Sequence, residues 1–138
     1  MPGELLLDTG AFVALVDRSE DRHNDCVAVL EGWRGLVLTT EPILTETLHL
    51  VGPRWRAQEI CLDFFLRGAF VLIPTSRATL VRAAALMEQY QDVPMDYADA
   101  TLVALAEDVS TNLVFTLDRR GFLTYRIRGK KPFEIAPS

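Results

Sequence analysis

Two acids in this 138-residue chain stand just past short apolar runs. Asp8 follows Leu5-Leu6-Leu7 directly, and Asp118 follows Leu113-Val114-Phe115 after two residues. Each has a hydroxyl residue close by in sequence. Thr9 comes next after Asp8, and Thr116 lies two positions before Asp118. Such hydroxyls orient a carboxylate or a bound water. Asp96 and Asp99 form an i,i+3 pair at the head of a segment whose apolar stripe is Ala98, Leu102, Leu105 and Val109. Asp99 lies one turn from Val103 and two from Ala106, so it borders the buried side of that segment. A carboxylate placed there needs partners or a cation. Plainer readings stay open for each acid alone. An Asp between a strand and a helix is commonly an N-cap, and acids at a helix start are favoured by the dipole. Glu46 lies off the apolar stripe of its segment, where a solvated glutamate is ordinary.

Taken together, these side chains suggest one kind of chemistry. Several carboxylates within a few ångströms repel one another and resist joint ionisation. A divalent cation removes that conflict, and hard oxygen ligands without His or Cys select Mg²⁺ or Mn²⁺ over zinc. Such an ion lowers the pKa of a water and braces the departing oxygen of a phosphodiester. The expected reaction is hydrolysis of a nucleic-acid backbone.

The elements that must bring the acids together can be read from periodicity. Leu5–Leu7 reads as a buried strand ending at Asp8, followed by a helix over 9–16. Ser19 to Asn24 is polar, and a second helix runs through Val27, Val29 and Leu30. Leu36-Val37-Leu38 is a strand. Thr39 and Thr40 are candidate N-caps for a helix with Pro42 in its first turn and Ile43, Leu44, Thr47, Leu48 and Val51 on its apolar face. Gly52-Pro53 ends that helix. Ile60, Leu62, Phe64, Phe65 and Leu66 suggest another helix, and 69–73 a strand closed by Pro74. Ser76 caps a helix through Met87, and Asp96 opens the next. Leu113–Phe115 and 133–135 complete the strands. Short apolar runs alternating with helices imply a parallel sheet covered on both faces. In such a sheet, sites lie beyond the carboxyl ends of the strands, at the switch point. If the first strand neighbours the one before Asp118, both acids enter one crevice.

Composition agrees with a single domain over 1–138: hydrophobic residues are 49% and charged residues 24%. No apolar run approaches a membrane span, and the start, Met1-Pro2-Gly3-Glu4, lacks the basic stretch of a secretory signal. Cys26 and Cys61 fall in apolar helical patterns and read as reduced core residues, which places the protein in the cytoplasm. The net charge of −5 argues at first against a nucleic-acid partner. Without Asp8, Glu46, Asp96, Asp99 and Asp118, however, 14 acids face 14 bases, so those five account for the whole excess. Twelve of the bases are Arg, the better fork for phosphate oxygens. Six bases fall between Arg119 and Lys131, which reads either as a local basic surface or as a solvated segment.

At the acids the chain resembles the PIN-domain ribonucleases and, within them, the VapC-type toxins of toxin–antitoxin pairs. The motifs are Leu7-Asp8-Thr9-Gly10-Ala11, Thr45-Glu46-Thr47, Asp96-Tyr97-Ala98-Asp99-Ala100 running into Leu102-Val103-Ala104-Leu105-Ala106-Glu107, and Thr116-Leu117-Asp118-Arg119-Arg120. Four motifs in register over nearly the whole chain make the resemblance specific. It implies a PIN-like three-layer α/β/α sandwich with a central, mainly parallel sheet. It also implies metal-dependent endonucleolytic cleavage of RNA with Mg²⁺ or Mn²⁺. Asp8, Glu46, Asp99 and Asp118 would be the catalytic and metal-binding core, Asp96 an accessory acid, and Thr9 and Thr116 supporting hydroxyls. A homodimer held by a cognate antitoxin, whose tail presents an Arg to the carboxylates, is expected. Many relatives carry an acid where this chain has Gly121, which puts a further acidic ligand in doubt.

His23 and His49, far apart and without Cys partners, read as structural. Trp33, Trp55 and Phe64 are stacking candidates, but packing is the expected role. Arg54, Arg56, Arg119 and Arg120 are the candidate phosphate contacts. A receiver-like signalling domain wants a pair of acids after the first strand and a Lys after the last. A haloacid-dehalogenase-type phosphatase wants a second Asp where Gly10 sits. Neither pattern is met. The closer alternative is a housekeeping RNA-processing PIN nuclease or a silent PIN scaffold, and the four acids disfavour silence.

Overall fold

The leucine run after Glu4 alternates between two separate cores, as a strand with both faces covered must. Leu5 and Leu7 enter one core and Leu6 the other. The computed structural model describes residues 3–138; Met1 and Pro2, part of the start read above, lie outside them. The strands in chain order are β1 (Glu4–Leu7), β2 (Leu36–Thr40), β3 (Val71–Ile73), β4 (Leu113–Phe115), β5 (Arg126–Ile127), β6 (Lys131–Pro132) and β7 (Glu134–Ala136). Five of them form one sheet in the order β3-β2-β1-β4-β7, with every pairing parallel. The chain builds outward from β1 to β3 on one side, then returns to add β4 on the other. The switch point therefore lies between β1 and β4. Leu7 pairs with Phe115, and Asp8 N–H donates to Phe115 O at 2.9 Å.

Helices cover both faces, giving the three layers. On the Leu5/Leu7 side pack α1 (Thr9–Val16), α2 (His23–Gly32) and α4 (Trp55–Leu66). On the Leu6 side pack α5 (Arg77–Gln89), α6 (Tyr97–Val109) and α7 (Arg119–Thr124). Between them α3 (Glu41–Val51) sends Ile43 into one core and Leu44 and Leu48 toward the other. Among the described residues no helix is long and apolar enough to cross a membrane. Cys26 and Cys61 are free thiols, both buried.

Phe12 holds α1, the helix that follows Asp8, against α4. Its ring meets Phe64 edge-on at 5.9 Å and Phe70 at 5.4 Å, while Phe64 and Phe70 stack at 4.5 Å. Phe64 is thus a packing residue. Because Phe12 is wholly buried, Phe12→Ala is expected to lower the unfolding free energy by about 3–5 kcal/mol. Urea denaturation checks this; a loss below about 1 kcal/mol would contradict the packing described.

Two local expectations are corrected. Thr39 and Thr40 finish β2; Thr40 does stand at the N-cap position of α3, but its side chain makes no cap hydrogen bond, because both hydroxyls find partners across the fold. Thr39 donates to Leu7 O at 2.7 Å, and Thr40 pairs with Thr101 at 2.8 Å. The strand expected over 69–73 begins only at Val71, since Phe70 N–H closes back on Phe64 O. The basic stretch 119–131 folds into α7 and the β5–β6 hairpin, turning at Arg128 and Gly129 with φ of 52° and 71°, and keeps five of its six bases exposed. Two of its arginines are tied to the chain's own oxygens. Arg126 Nη1 donates to the carbonyls of Leu123, Thr124 and Tyr125, and Arg128 donates to Glu107.

Candidate active site

Asp8 leaves β1 at the position that would cap α1, yet its side chain makes no cap hydrogen bond. Instead Oδ2 accepts the Thr116 hydroxyl at 2.6 Å. The residue is 5% exposed. Burial pushes its carboxyl up to about 6, the Thr116 hydrogen bond pulls the other way, and the charges of Asp118 and Asp96 add to the rise. The capping reading therefore fails for Asp8. It holds for Asp118, whose Oδ1 accepts Gly121 N–H at 3.0 Å as the cap of α7.

Asp96 and Asp99 are joined by a capping box at the start of α6. Asp99 N–H donates to Asp96 Oδ1 at 2.8 Å, and Asp96 N–H to Asp99 Oδ2 at 3.4 Å. Capping alone does not describe Asp99. Burial, and then the charges of Asp8, Asp96 and Asp118, hold its carboxyl well above the ordinary range. Glu46, on α3, is no freely solvated glutamate: Oε1 accepts the Thr9 hydroxyl at 2.8 Å. Its carboxyl is raised by burial and by Asp96.

The two hydroxyls thus serve acids other than their sequence neighbours. Thr116 binds Asp8, and Thr9 binds Glu46. Thr116 still touches Asp118, accepting its main-chain N–H at 2.9 Å. Two contributors left no signal in the residue pattern. Tyr125, just past α7, donates its hydroxyl to Asp99 Oδ2 at 3.3 Å. Gly121 supplies the amide for Asp118, and a Cβ there would run into Asp118 Oδ2 and crowd Tyr125. That close approach gives a reason for glycine at this position.

A cleft of about 660 Å³ opens between the starts of α3 and α6, with Glu46, Asp96 and Tyr97 among its lining residues. A smaller hollow of about 230 Å³ is lined by Asp118, Arg120, Gly121 and Tyr125, beside Val93 and Pro94. Of the candidate phosphate contacts, Arg120 lies at the acids. Arg119 is exposed next to it, and Arg54 and Arg56 are exposed around the start of α4, in neither hollow. Trp55 is exposed, whereas Trp33 donates to Leu36 O. His23 is held on Ala14 O, and His49 is exposed.

The donor set is chemically suited to a hard divalent cation: only carboxylate oxygens, of which those of Asp8, Glu46 and Asp99 sit on groups with raised proton affinity. Asp8, Glu46, Asp99 and Asp118 are each gripped through one oxygen by a Thr, Tyr or main-chain donor. Among the described residues no three His, Cys, Asp or Glu side chains already form a finished metal cage.

Comparison with known proteins places this arrangement in context. The PIN-domain family model matches residues 5–127. The chain is 29% identical over 135 residues to "Ribonuclease VapC26" of Mycobacterium tuberculosis, spanning 96% of this chain and 100% of that one. Among solved structures it is similar to the Mycobacterium tuberculosis VapC20 toxin, described as cleaving the sarcin–ricin loop. The TM-score is 0.78 at 19% identity, over 83% of this chain and 90% of that one. It is also similar to VapBC2 of Rickettsia felis, solved bound to a promoter DNA fragment, with a TM-score of 0.65 at 15% identity over 96% and 98%. A toxin–antitoxin complex from Klebsiella pneumoniae gives a TM-score of 0.62 at 24% identity over 87% and 91%.

Proposed function

The chain belongs to the PIN-domain family, and from that premise we propose that it is a metal-dependent endoribonuclease acting as the toxin of a toxin–antitoxin pair. The observation that carries the catalytic reading is Asp8. It is a buried carboxylate at a helix start that does not cap, turned instead onto Thr116 among the charges of Asp118 and Asp96. Keeping such a group in the core is costly unless a cation or a proton neutralises it. A sheet order of β3-β2-β1-β4-β7 also differs from the 2-1-3-4-5 order of receiver-type domains.

Asp8, Glu46, Asp99 and Asp118 would hold Mg²⁺ or Mn²⁺, with Asp96 as accessory acid. The ion supplies the positive charge that sharpens an attacking water and steadies the oxygen that leaves. The chain's own residues do the positioning. Thr116 aims Asp8, Thr9 aims Glu46, and the Gly121 amide holds Asp118. Arg120 and Arg119 offer guanidinium forks to the RNA phosphates beside Asp118, with Arg54 and Arg56 as more remote contacts. The likeness to a VapC ribonuclease and to toxin–antitoxin structures supports a cognate antitoxin as partner. The buried thiols Cys26 and Cys61 suit a reducing, cytoplasmic compartment, and the homodimer is carried by the resemblance to VapC-type toxins alone.

Incubating the protein with structured RNA tests the activity. Cutting is expected with Mg²⁺ or Mn²⁺ and lost in chelator. Equal cutting in chelator would end the metal reading. For the role in the cell, expression is expected to arrest growth, with relief by an antitoxin encoded beside it. Harmless expression of verified active enzyme would turn the assignment to housekeeping RNA processing.

A further inference from the structure

Tyr125 is 1% exposed, and its hydroxyl reaches one acceptor among the described residues, Asp99 Oδ2. A buried phenol needs such a partner. Its ring is held on two sides, edge-on to Tyr90 at 5.1 Å and to Phe122 at 5.1 Å. The Tyr90 hydroxyl in turn accepts Arg126 N–H at 3.0 Å, pinning the main chain just after Tyr125. The same ring edge lies under Gly121, whose amide holds Asp118. One rigid side chain therefore spans the turn that carries Asp118 and the helix start that carries Asp99.

The geometry points to Tyr125 as a positioning residue of the acidic centre, clamping Asp99 by Oδ2 so that Oδ1 is presented to a divalent cation. This rests on the metal-dependent reading above and extends it to a residue outside the acidic motifs. Asp99 Oδ1 accepts no hydrogen bond from the described residues, whereas Oδ2 takes both the phenol and Asp96 N–H. Groups that orient a ligand in this way commonly change metal affinity by about 10–100-fold when removed. Without the hydroxyl, Asp99 keeps only the long contact to Asp96 N–H, and its carboxylate is freer to rotate.

Tyr125→Phe keeps the ring and deletes the clamp. Mn²⁺ titration followed by electron paramagnetic resonance, with no RNA present, is expected to show affinity lowered by about 10-fold or more. Cleavage at saturating Mn²⁺ should largely recover, so the loss lies in metal binding and not in turnover. Tyr90→Phe, which keeps the ring against Tyr125 and deletes only the acceptor for Arg126 N–H, should lose clearly less Mn²⁺ affinity than Tyr125→Phe. Parent-like affinity in Tyr125→Phe, or an equal loss in Tyr90→Phe, overturns the proposal. Asp99→Asn in the same titration separates the two readings. If it binds Mn²⁺ normally, the metal site itself is wrong. If it loses Mn²⁺ while Tyr125→Phe does not, only the clamp is wrong.

Discussion

Asp99→Asn is expected to cut RNA at least about 10³-fold more slowly than the parent chain while folding as well or better. That factor corresponds to about 4 kcal/mol of transition-state stabilisation. The substitution is nearly isosteric. An amide oxygen can still accept from Tyr125 and from Asp96 N–H, so the capping box and the aromatic strut survive. What disappears is the negative charge that a cation needs, together with the repulsion from Asp8, Asp96 and Asp118 that raises the carboxyl. An activity assay paired with a thermal melt distinguishes the outcomes. Full activity in Asp99→Asn would remove this acid from the catalytic set. Loss of both activity and fold would make it a structural residue.

The second large effect is on stability, and its sign is opposite to that of a salt-bridged acid. Asp8 has its folded value raised from 3.8 to about 6, chiefly by burial. The folded chain therefore binds this proton more tightly than the unfolded chain does. Stability from this group is greatest below about pH 4, falls as the pH rises through about 6, and stays lower above that. The raised carboxyl of Asp99 acts in the same direction. Asp17 and Glu107 are lowered, so their contributions are lost only in acid and do not mask this window. A rise from 3.8 to about 6 corresponds to about 3 kcal/mol. Asp8→Asn should thus be up to about 3 kcal/mol more stable than the parent at pH 7.5, with a flatter pH profile. Added Mn²⁺ should stabilise the parent by binding only its folded form, and should do little for the variant. Urea midpoints between pH 4.5 and 7.5 test this. An Asp8→Asn variant no more stable than the parent at pH 7.5 would show that the carboxylate is better solvated than its burial indicates.

An active centre of this kind costs the fold some of its stability. Carboxylates gathered beyond the ends of β1 and β4 would destabilise the chain when no cation joins them, and on the proposed metal-dependent reading would become useful only when one does. Growth arrest by an enzyme of this kind would require the same charges that weaken its fold. An Arg-bearing antitoxin tail entering the centre would relieve that repulsion while blocking the site.

Most of the framework could be read from the residues. Apolar runs of three, such as Leu5–Leu7 and Leu113–Phe115, are long enough to define strands buried on both faces. Strand ends in turn place Asp8 and Asp118 in one crevice if their strands are adjacent, as they are. The i,i+3 spacing of Asp96 and Asp99 likewise put both at one helix start, because that geometry is local to a single helical turn.

What tertiary structure alone decided are the contacts made across the chain. Thr116 reaches Asp8 over 108 positions, Thr9 reaches Glu46 over 37, and Tyr125 reaches Asp99 over 26. No local periodicity encodes such pairs. They exist because β4 lies beside β1, α3 packs against α1, and the segment after α7 folds back on α6. For the same reason Glu46, ambiguous on its own helix, joins the acids. Asp8, which sequence reading could take for a cap, proves to be held by a hydroxyl from the neighbouring strand.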